Sequence, residues 1–223
     1  ILCLIRRQLT LRLSLLCVGT RRRWESSLEK APEGLPYRIE PWRKDLDATA
    51  FSSGMEQIDR YIKQQAHRDM SSHVSLVFVL TELDSKIISG FYSLSALGIV
   101  FNDLPRNVQS RLPRYPQVGA TLLGRLGVDL AYKAKLLKDM GENPRLGELL
   151  FIDAQKRALE GATGTVGSAL MVIDVLMPTK EEQAAGARDP MTFYTDYGFL
   201  PFPDDDRRVF KSMRTIEQEY GEA

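Results

Sequence analysis

Three short segments hold the residues whose types and spacing could do chemistry. They are Leu122-Leu123-Gly124-Arg125-Leu126-Gly127-Val128-Asp129, then Arg145-Leu146-Gly147-Glu148-Leu149-Leu150, then Phe193-Tyr194-Thr195-Asp196-Tyr197-Gly198-Phe199. The first two read as a strand leading through a turn into the start of a helix. Such a start offers backbone N–H groups and the positive end of the helix dipole to a pyrophosphate. The third puts a phenol nearby. Together they suit acyl transfer from a coenzyme A thioester. The chain runs from Ala134 to Arg145 where a short phosphate-gripping turn is expected, so the turn this chemistry needs is lengthened.

The composition sets the frame for those segments. With 223 residues, 43% apolar and 26% charged, the chain is long enough for one domain with a substantial core. No apolar run reaches the roughly 20 residues needed to cross a bilayer. Cysteine is absent after Cys17, which leaves the body of the chain without a disulfide framework or a cysteine metal site. A reducing compartment fits, and the cytoplasm is the expected location. His67 and His73 lack ligand spacing, so no metal site is expected. The net charge of +1 hides an asymmetry, because residues 1–24 carry six arginines and no acid. The remainder holds 24 of the 30 basic residues against all 29 acidic ones and is mildly acidic, which weakens an argument for nucleic-acid binding from overall charge. Residues 1–24 share their Leu/Arg-rich, acid-free composition with mitochondrial presequences, the alternative location. Their alternation Leu9-Thr10-Leu11-Arg12-Leu13-Ser14-Leu15 suits a strand better than an amphipathic helix, and an extension foreign to the domain is the competing explanation.

Residues 25–36, with two prolines and a glycine, read as a linker, so residues 1–36 are an extension expected to be disordered or artefactual. The domain is expected over 37–215, with a tail over 216–223. Tyr37 to Pro41 reads as an edge strand. Ser53 and Glu56 have the spacing of a capping box ahead of a helix with Met55, Ile58, Ile62 and Ala66 on one face. Leu76–Leu80 and Ile87–Leu94 form an expected hairpin, which Ala96–Phe101 extends. Pro105–Pro116 is a short helix or irregular excursion. Gly119–Val128 is a strand buried on both faces, and Leu146–Leu159 is a helix ended by Gly161. Ala169–Val175 and Arg208–Met213 are the last strands, with a partly helical stretch between. The pattern predicts one mixed sheet flanked by helices, an α/β arrangement of the α+β kind.

The Gly-Arg-Leu-Gly-Val strand, the Leu-Gly-Glu-Leu-Leu helix start and the Phe-Tyr…Tyr-Gly-Phe segment resemble the GCN5-related N-acetyltransferases (GNAT). Within that family the chain looks like the branch containing toxins of toxin–antitoxin modules. The likeness runs from about Tyr37 to Met213 and includes Phe51-Ser52-Ser53-Gly54 with Asp59, Gly90-Phe91-Tyr92-Ser93-Leu94 and Leu112-Pro113-Arg114-Tyr115-Pro116. The resemblance implies a GNAT fold, with a central, mostly antiparallel mixed sheet. It implies acetyl-CoA as cosubstrate and a primary amine as acceptor, belonging to an aminoacyl-tRNA, a small molecule or a protein. An antitoxin or a second copy of the chain is the implied partner, and no membrane is.

By that resemblance, Leu126, Gly127 and Val128 line the pantetheine arm, and the Val128 N–H polarises the thioester carbonyl. Tyr194 stands at the position of the tyrosine that protonates the departing thiolate. The family's turn has the form Arg/Gln-x-x-Gly-x-Gly/Ala. Lys133 and Ala134 match its beginning, Lys135–Pro144 intervene, and Arg145, Leu146, Gly147 and Glu148 resume it. Lys135 and Arg145 could offer charge to phosphates, and Arg145 could equally obstruct them. The insertion either loops out, which Gly141-Glu142-Asn143-Pro144 favours, or costs the chain its coenzyme site. Arg125, a charge inside a strand, should find a carboxylate or a substrate group. Asp174 and Glu148 are alternative proton carriers. The rival to an enzyme is a degenerate GNAT scaffold acting as a binding module, and fold alone does not separate the two.

Overall fold

The computed structural model describes residues 37–141 and 145–221. The amino-terminal extension, the linker and the Glu142-Asn143-Pro144 part of the expected loop lie outside the described residues.

The chain opens with β1 (Tyr37–Pro41), then α1 (Glu56–Arg60), which passes through a π-helical turn, Tyr61–Gln65, into α2 (Ala66–Ser71). β2 (Leu76–Glu82) and β3 (Ile88–Val100) form the long hairpin, followed by α3 (Arg106–Gln109) and β4 (Gln117–Val128). Two helices, α4 (Leu130–Met140) and α5 (Leu146–Gly164), separate β4 from β5 (Leu170–Asp174). Then come α6 (Lys180–Ala184), α7 (Met191–Asp196), β6 (Leu200–Phe202), β7 (Asp205–Ser212) and α8 (Met213–Tyr220).

The strands make one sheet in the order β1-β2-β3-β4-β5-β7-β6. Every neighbouring pair is antiparallel except β4–β5, which is the mixed, mostly antiparallel sheet expected. Strand residues alternate between two faces, and each face has its own core. One packs Leu80, Tyr92, Leu123, Met171 and Val209 against Leu150, Phe151 and Ala154 of α5. The other packs Val77, Val79, Ile88 and Phe91 against Ile58, Tyr61, Ile62 and Ala66 of α1–α2, with a separate cluster around Val118, Leu170 and Phe210 at the far end.

Local chemistry departs from the expected pattern in two places. Ser53 does not cap the first helix. Its N–H and its hydroxyl both donate to the Asp59 carboxylate, at 2.7 and 2.6 Å, and α1 starts with Met55 as its N-cap. A carboxylate one turn inside the helix takes both Ser53 donors, and Gly54, at φ +83°, turns the chain between them. A capping box does form at α6, where the Thr179 hydroxyl accepts the Glu182 N–H and the Glu182 carboxylate accepts the Thr179 N–H.

The packed structure also runs past residue 215, where a tail is expected. α8 carries Ile216, fully buried, and Met213 onto α5. Ile216→Ala should therefore cost about 2–5 kcal/mol, as other buried isoleucine truncations do. The urea unfolding midpoint measures this, and an unchanged midpoint would show that α8 is dispensable.

Candidate functional site

β4 and β5 pair only over Ala120–Leu123 and Leu170–Ile173. Beyond that, β5 stops at Asp174 and its chain turns toward β7, the Val175 N–H donating to the Arg207 carbonyl at 2.8 Å. β4 runs on from Gly124 to Val128 with β3 as its partner. The β3–β4 ladder contains a bulge, since Ser93 pairs with Arg125 and Leu94 with Leu123, leaving Gly124 as the extra residue. The Arg125 N–H donates to the Ser93 hydroxyl at 3.0 Å, and the Asp129 N–H donates to the Ser89 carbonyl at 2.9 Å. Backbone groups of successive residues point to opposite sides of a strand. Those of Gly127 and Asp129 therefore face β3, and those of Leu126 and Val128 face the opening left by β5.

Gly127 is held there by close approach. A Cβ on it would lie 2.5 Å from the Ile58 Cγ2 atom of α1 and 3.3 Å from the Phe91 ring. The end of β4 is thereby pressed onto α1 while Leu126 and Val128 lean toward the α5 side.

The residues after Val128 do not build the expected phosphate turn. They form α4, whose N-cap is Asp129. Its carboxylate accepts the Tyr132 N–H at 2.7 Å and the Ser52 N–H at 2.9 Å, and the Leu130 N–H donates to the Ser52 carbonyl at 2.8 Å. Lys133 and Ala134 lie inside this helix, the Lys133 N–H bonded to the Asp129 carbonyl at 3.0 Å. Most of the insertion is thus helix rather than loop. The physical reason is that Tyr132 and Leu136, one turn apart, both bury against the sheet. Lys135 is drawn to Glu82 on β2, its Nζ 2.8 Å from that carboxylate.

The next helix start is different. Arg145 takes a left-handed conformation, φ 46° and ψ 38°, and α5 begins without a side-chain cap. A Cβ at Gly147 would meet nothing within 4 Å, so the approach to this end is open. The Glu148 carboxylate, in the first turn, accepts the Tyr197 hydroxyl and pairs with Arg145 at 3.2 Å. Its charge is thus already matched.

α7 brings Tyr194 to the same core. Its ring packs edge-on against Phe151 of α5, centroids 5.3 Å apart, and Leu126, Val128, Leu149 and Phe193 surround that cluster. No hydrogen bond to another described residue takes up its hydroxyl. Burial disfavours the phenolate and pushes its pKa up to about 12. The structure therefore gathers Leu126, Val128, Leu146, Glu148 and Tyr194 around one core, and leaves Lys133, Ala134 and Lys135 on the inserted helix.

Arg125 occupies the opposite face, its guanidinium 5.8 Å from the centre of the Tyr61 ring and its Nη1 donating to the Gly124 carbonyl at 2.6 Å. Among the described residues no carboxylate pairs with it, and its buried Nε lacks a partner. The other candidate carboxylate, Asp174, is taken by Arg208 at 2.6 Å. Between α1 and α6 lies a cavity of about 610 Å³, lined by Gly54, Glu56, Gln57, Asp59, Arg60, Thr179, Glu181 and Glu182. Its charged lining is four carboxylates against one guanidinium. The Thr179–Glu182 capping spacing could have located this wall in the sequence, whereas nothing local marks Asp129 as a cap while Gly-Val-Asp is read as strand and turn.

No protein-family model matches the chain. The probable toxin TacT of Sinorhizobium fredii is 27% identical to it over 175 residues, spanning 78% of this chain and 90% of TacT. A tRNA-acetylating toxin of Mycobacterium tuberculosis is 29% identical over 171 residues, 75% of this chain and 87% of the toxin. Among solved structures, a tyrosine-to-phenylalanine mutant of KacT superposes with a TM-score of 0.66 at 22% identity, covering 83% of this chain and all of KacT. AtaT complexed with acetyl-methionyl-tRNAfMet superposes at 0.65 and 19% identity, covering 82% and 98%. An AtaT tyrosine-to-phenylalanine mutant bound to the C-terminus of the antitoxin AtaR and acetyl-CoA superposes at 0.59 and 16% identity, covering 82% and 97%.

Tyr37 and Tyr220, like Tyr194, are raised to about 12 by burial. Free tyrosine titrates near about 10, so between those values the unfolded chain has released protons that the folded chain still holds. Stability is then unaffected at neutral pH and falls as pH climbs from about 10 toward 12. Urea midpoints at pH 8 and at higher pH measure the loss, and Tyr194→Phe should remove part of it.

Proposed function

The chain is a GCN5-related N-acetyltransferase by fold, similar in sequence to toxins of toxin–antitoxin modules, and from that premise we propose that it transfers the acetyl group of acetyl-CoA to a primary amine, the α-amine of an aminoacyl-tRNA. The observation that carries the reading is the opening between β4 and β5, into which the Val128 N–H points, beside the core that holds Tyr194. An extended pantetheine arm has the shape of a strand and can take the backbone groups of Leu126 and Val128 that β5 leaves unmatched. The pyrophosphate has one suitable anchor among the two helix starts. Asp129 already places a carboxylate at the start of α4, which repels an anion, whereas the start of α5 is uncapped, open at Gly147 and flanked by Arg145.

Chemistry follows from that placement. The neutral amine attacks the thioester carbonyl carbon, and the Val128 N–H stabilises the negative charge that gathers on the oxygen. As the carbon–sulfur bond breaks, the departing thiolate takes the Tyr194 proton, which burial keeps in place at neutral pH. The acetylated nitrogen releases its surplus proton to water. The acidic cavity beside Gly54 attracts the protonated amine to the mouth of the site, and the amine sheds its proton before attack.

The tRNA acceptor rests on likeness to the M. tuberculosis toxin and to AtaT. A partner that silences the reaction is assigned on the same ground, since AtaT is solved with the C-terminus of its antitoxin. We place the reaction in the cytoplasm, where charged tRNA is consumed. No helix among the described residues is long and apolar enough to cross a membrane.

Thermal unfolding with acetyl-CoA tests the binding step. A ligand at one hundred times its dissociation constant contributes about 2.7 kcal/mol to the folded state, a clear upward shift in melting temperature. Absence of any shift at saturation would leave the binding-module alternative standing. Tyr194→Phe should keep that shift and lower turnover on charged tRNA by about 10²–10⁴-fold, the usual range for a lost general acid.

A further inference from the structure

We propose that Lys211 is a positioning residue for Tyr194, gripping the end of α7 from beneath and tying it to the C-terminal helix. The inference rests on the acetyl-transfer reading for its catalytic consequence, and on geometry alone for the grip itself.

Lys211 lies in β7, and its side chain is 2% exposed. A buried ammonium group is costly unless its donors are matched. Here the Nζ atom donates to the Tyr197 carbonyl at 2.8 Å and to the Glu219 carboxylate of α8 at 2.5 Å, and sits 5.7 Å from the centre of the Phe199 ring.

The position of that carbonyl gives the contact its meaning. α7 ends in a left-handed turn at Gly198, φ +77°. The Phe199 N–H returns to the Tyr194 carbonyl at 3.2 Å and the Gly198 N–H to the Thr195 carbonyl at 2.9 Å. Those two bonds close the last turn around Tyr194 and Thr195, and the Tyr197 carbonyl is left at the negative end of the helix for the lysine. The same residue is held at its other end, because the Tyr197 hydroxyl donates to Glu148 in the first turn of α5. One turn after the proposed acid, then, Tyr197 is anchored to the sheet through Lys211 and to the proposed pyrophosphate helix through Glu148. Glu219 brings α8 into the same support. A short helix of six residues has little stability of its own, so its orientation depends on such anchors.

Acetyl transfer requires the phenol to meet the leaving sulfur, and a misplacement of about 1 Å costs on the order of 10²-fold in rate. Lys211→Met keeps the length of the chain and removes the charge. Hydrogen–deuterium exchange should rise in the segment Met191–Phe199 while β2 and β3 stay protected, and Lys211→Arg should restore much of that protection. In turnover, Lys211→Met should lower kcat by about tenfold and leave KM for acetyl-CoA within about twofold, since the coenzyme contacts are elsewhere. Glu219→Gln, whose carboxylate is half exposed, should move both readouts in the same direction by less, and serves if Lys211→Met does not fold. Unchanged exchange over Met191–Phe199, or a rise spread evenly over the whole sheet, would overturn the positioning role. A wild-type chain that transfers no acetyl group would sink the activity alone, because exchange reports the grip without turnover.

Discussion

β4 and β5 are hydrogen-bonded through four residue pairs, and the separation of the two strands beyond Leu123 and Ile173 is the constraint to which the other elements conform. β4 cannot follow β5 because β3 holds it along its full length, and α1 presses on Gly127 from behind. Buried backbone polar groups without partners are costly, so an opened strand edge inside a domain asks for a ligand or for water. α5 and α7 are packed where they flank that edge, through Leu146, Phe151 and Tyr194. Fold stability and the proposed chemistry therefore meet in the same few residues.

The insertion after β4 alters the electrostatics without closing the opening. It creates two successive helix starts, and the first is supplied with its own anion. The Asp129 carboxylate serves α4 and also fastens the Ser52 loop, so the first start belongs to the architecture. The second start keeps its dipole for an external charge. Among the described residues Glu148 works against an anion there, and its pairing with Arg145 and Tyr197 offsets it.

The sheet, the long hairpin and the β4 strand were legible in the sequence because their apolar runs are bounded by clear turns, although β4, expected to be buried on both faces, is only half-buried over much of its length. The helix at Leu146 was legible for its i, i+4 row, although it continues past Gly161 to Gly164. What local spacing missed was decided by distant partners. Ser53 and Glu56 have the spacing of a cap, but Asp59 competes successfully for the serine. Lys133 and Ala134 match the beginning of a phosphate turn, but the burial of Tyr132 and Leu136 selects helix. Lys211 stands in the sequence only as one polar residue of the last expected strand, and its partners Tyr197 and Glu219 are brought to it from two other elements. The candidate site was thus half readable: the strand and the phenol were, and the supports around them were not.

The bulge at Gly124 has an effect that extends beyond its own bend. Before it, even-numbered residues of β4 such as Val118 and Ala120 face the cluster around Phe210, and Leu123 faces the α5 side; after it, Leu126 faces the α5 side and Gly127 faces α1. The single extra residue inverts the parity of the strand. Were Gly124 kept but paired in a regular ladder, Arg125 would turn toward the core around Leu150 and Phe151, and the glycine that admits Ile58 would leave α1. The bulge acts as a phase shifter, letting one continuous strand lend one face to the core in its first half and, in its second, meet α5 on one side and α1 on the other.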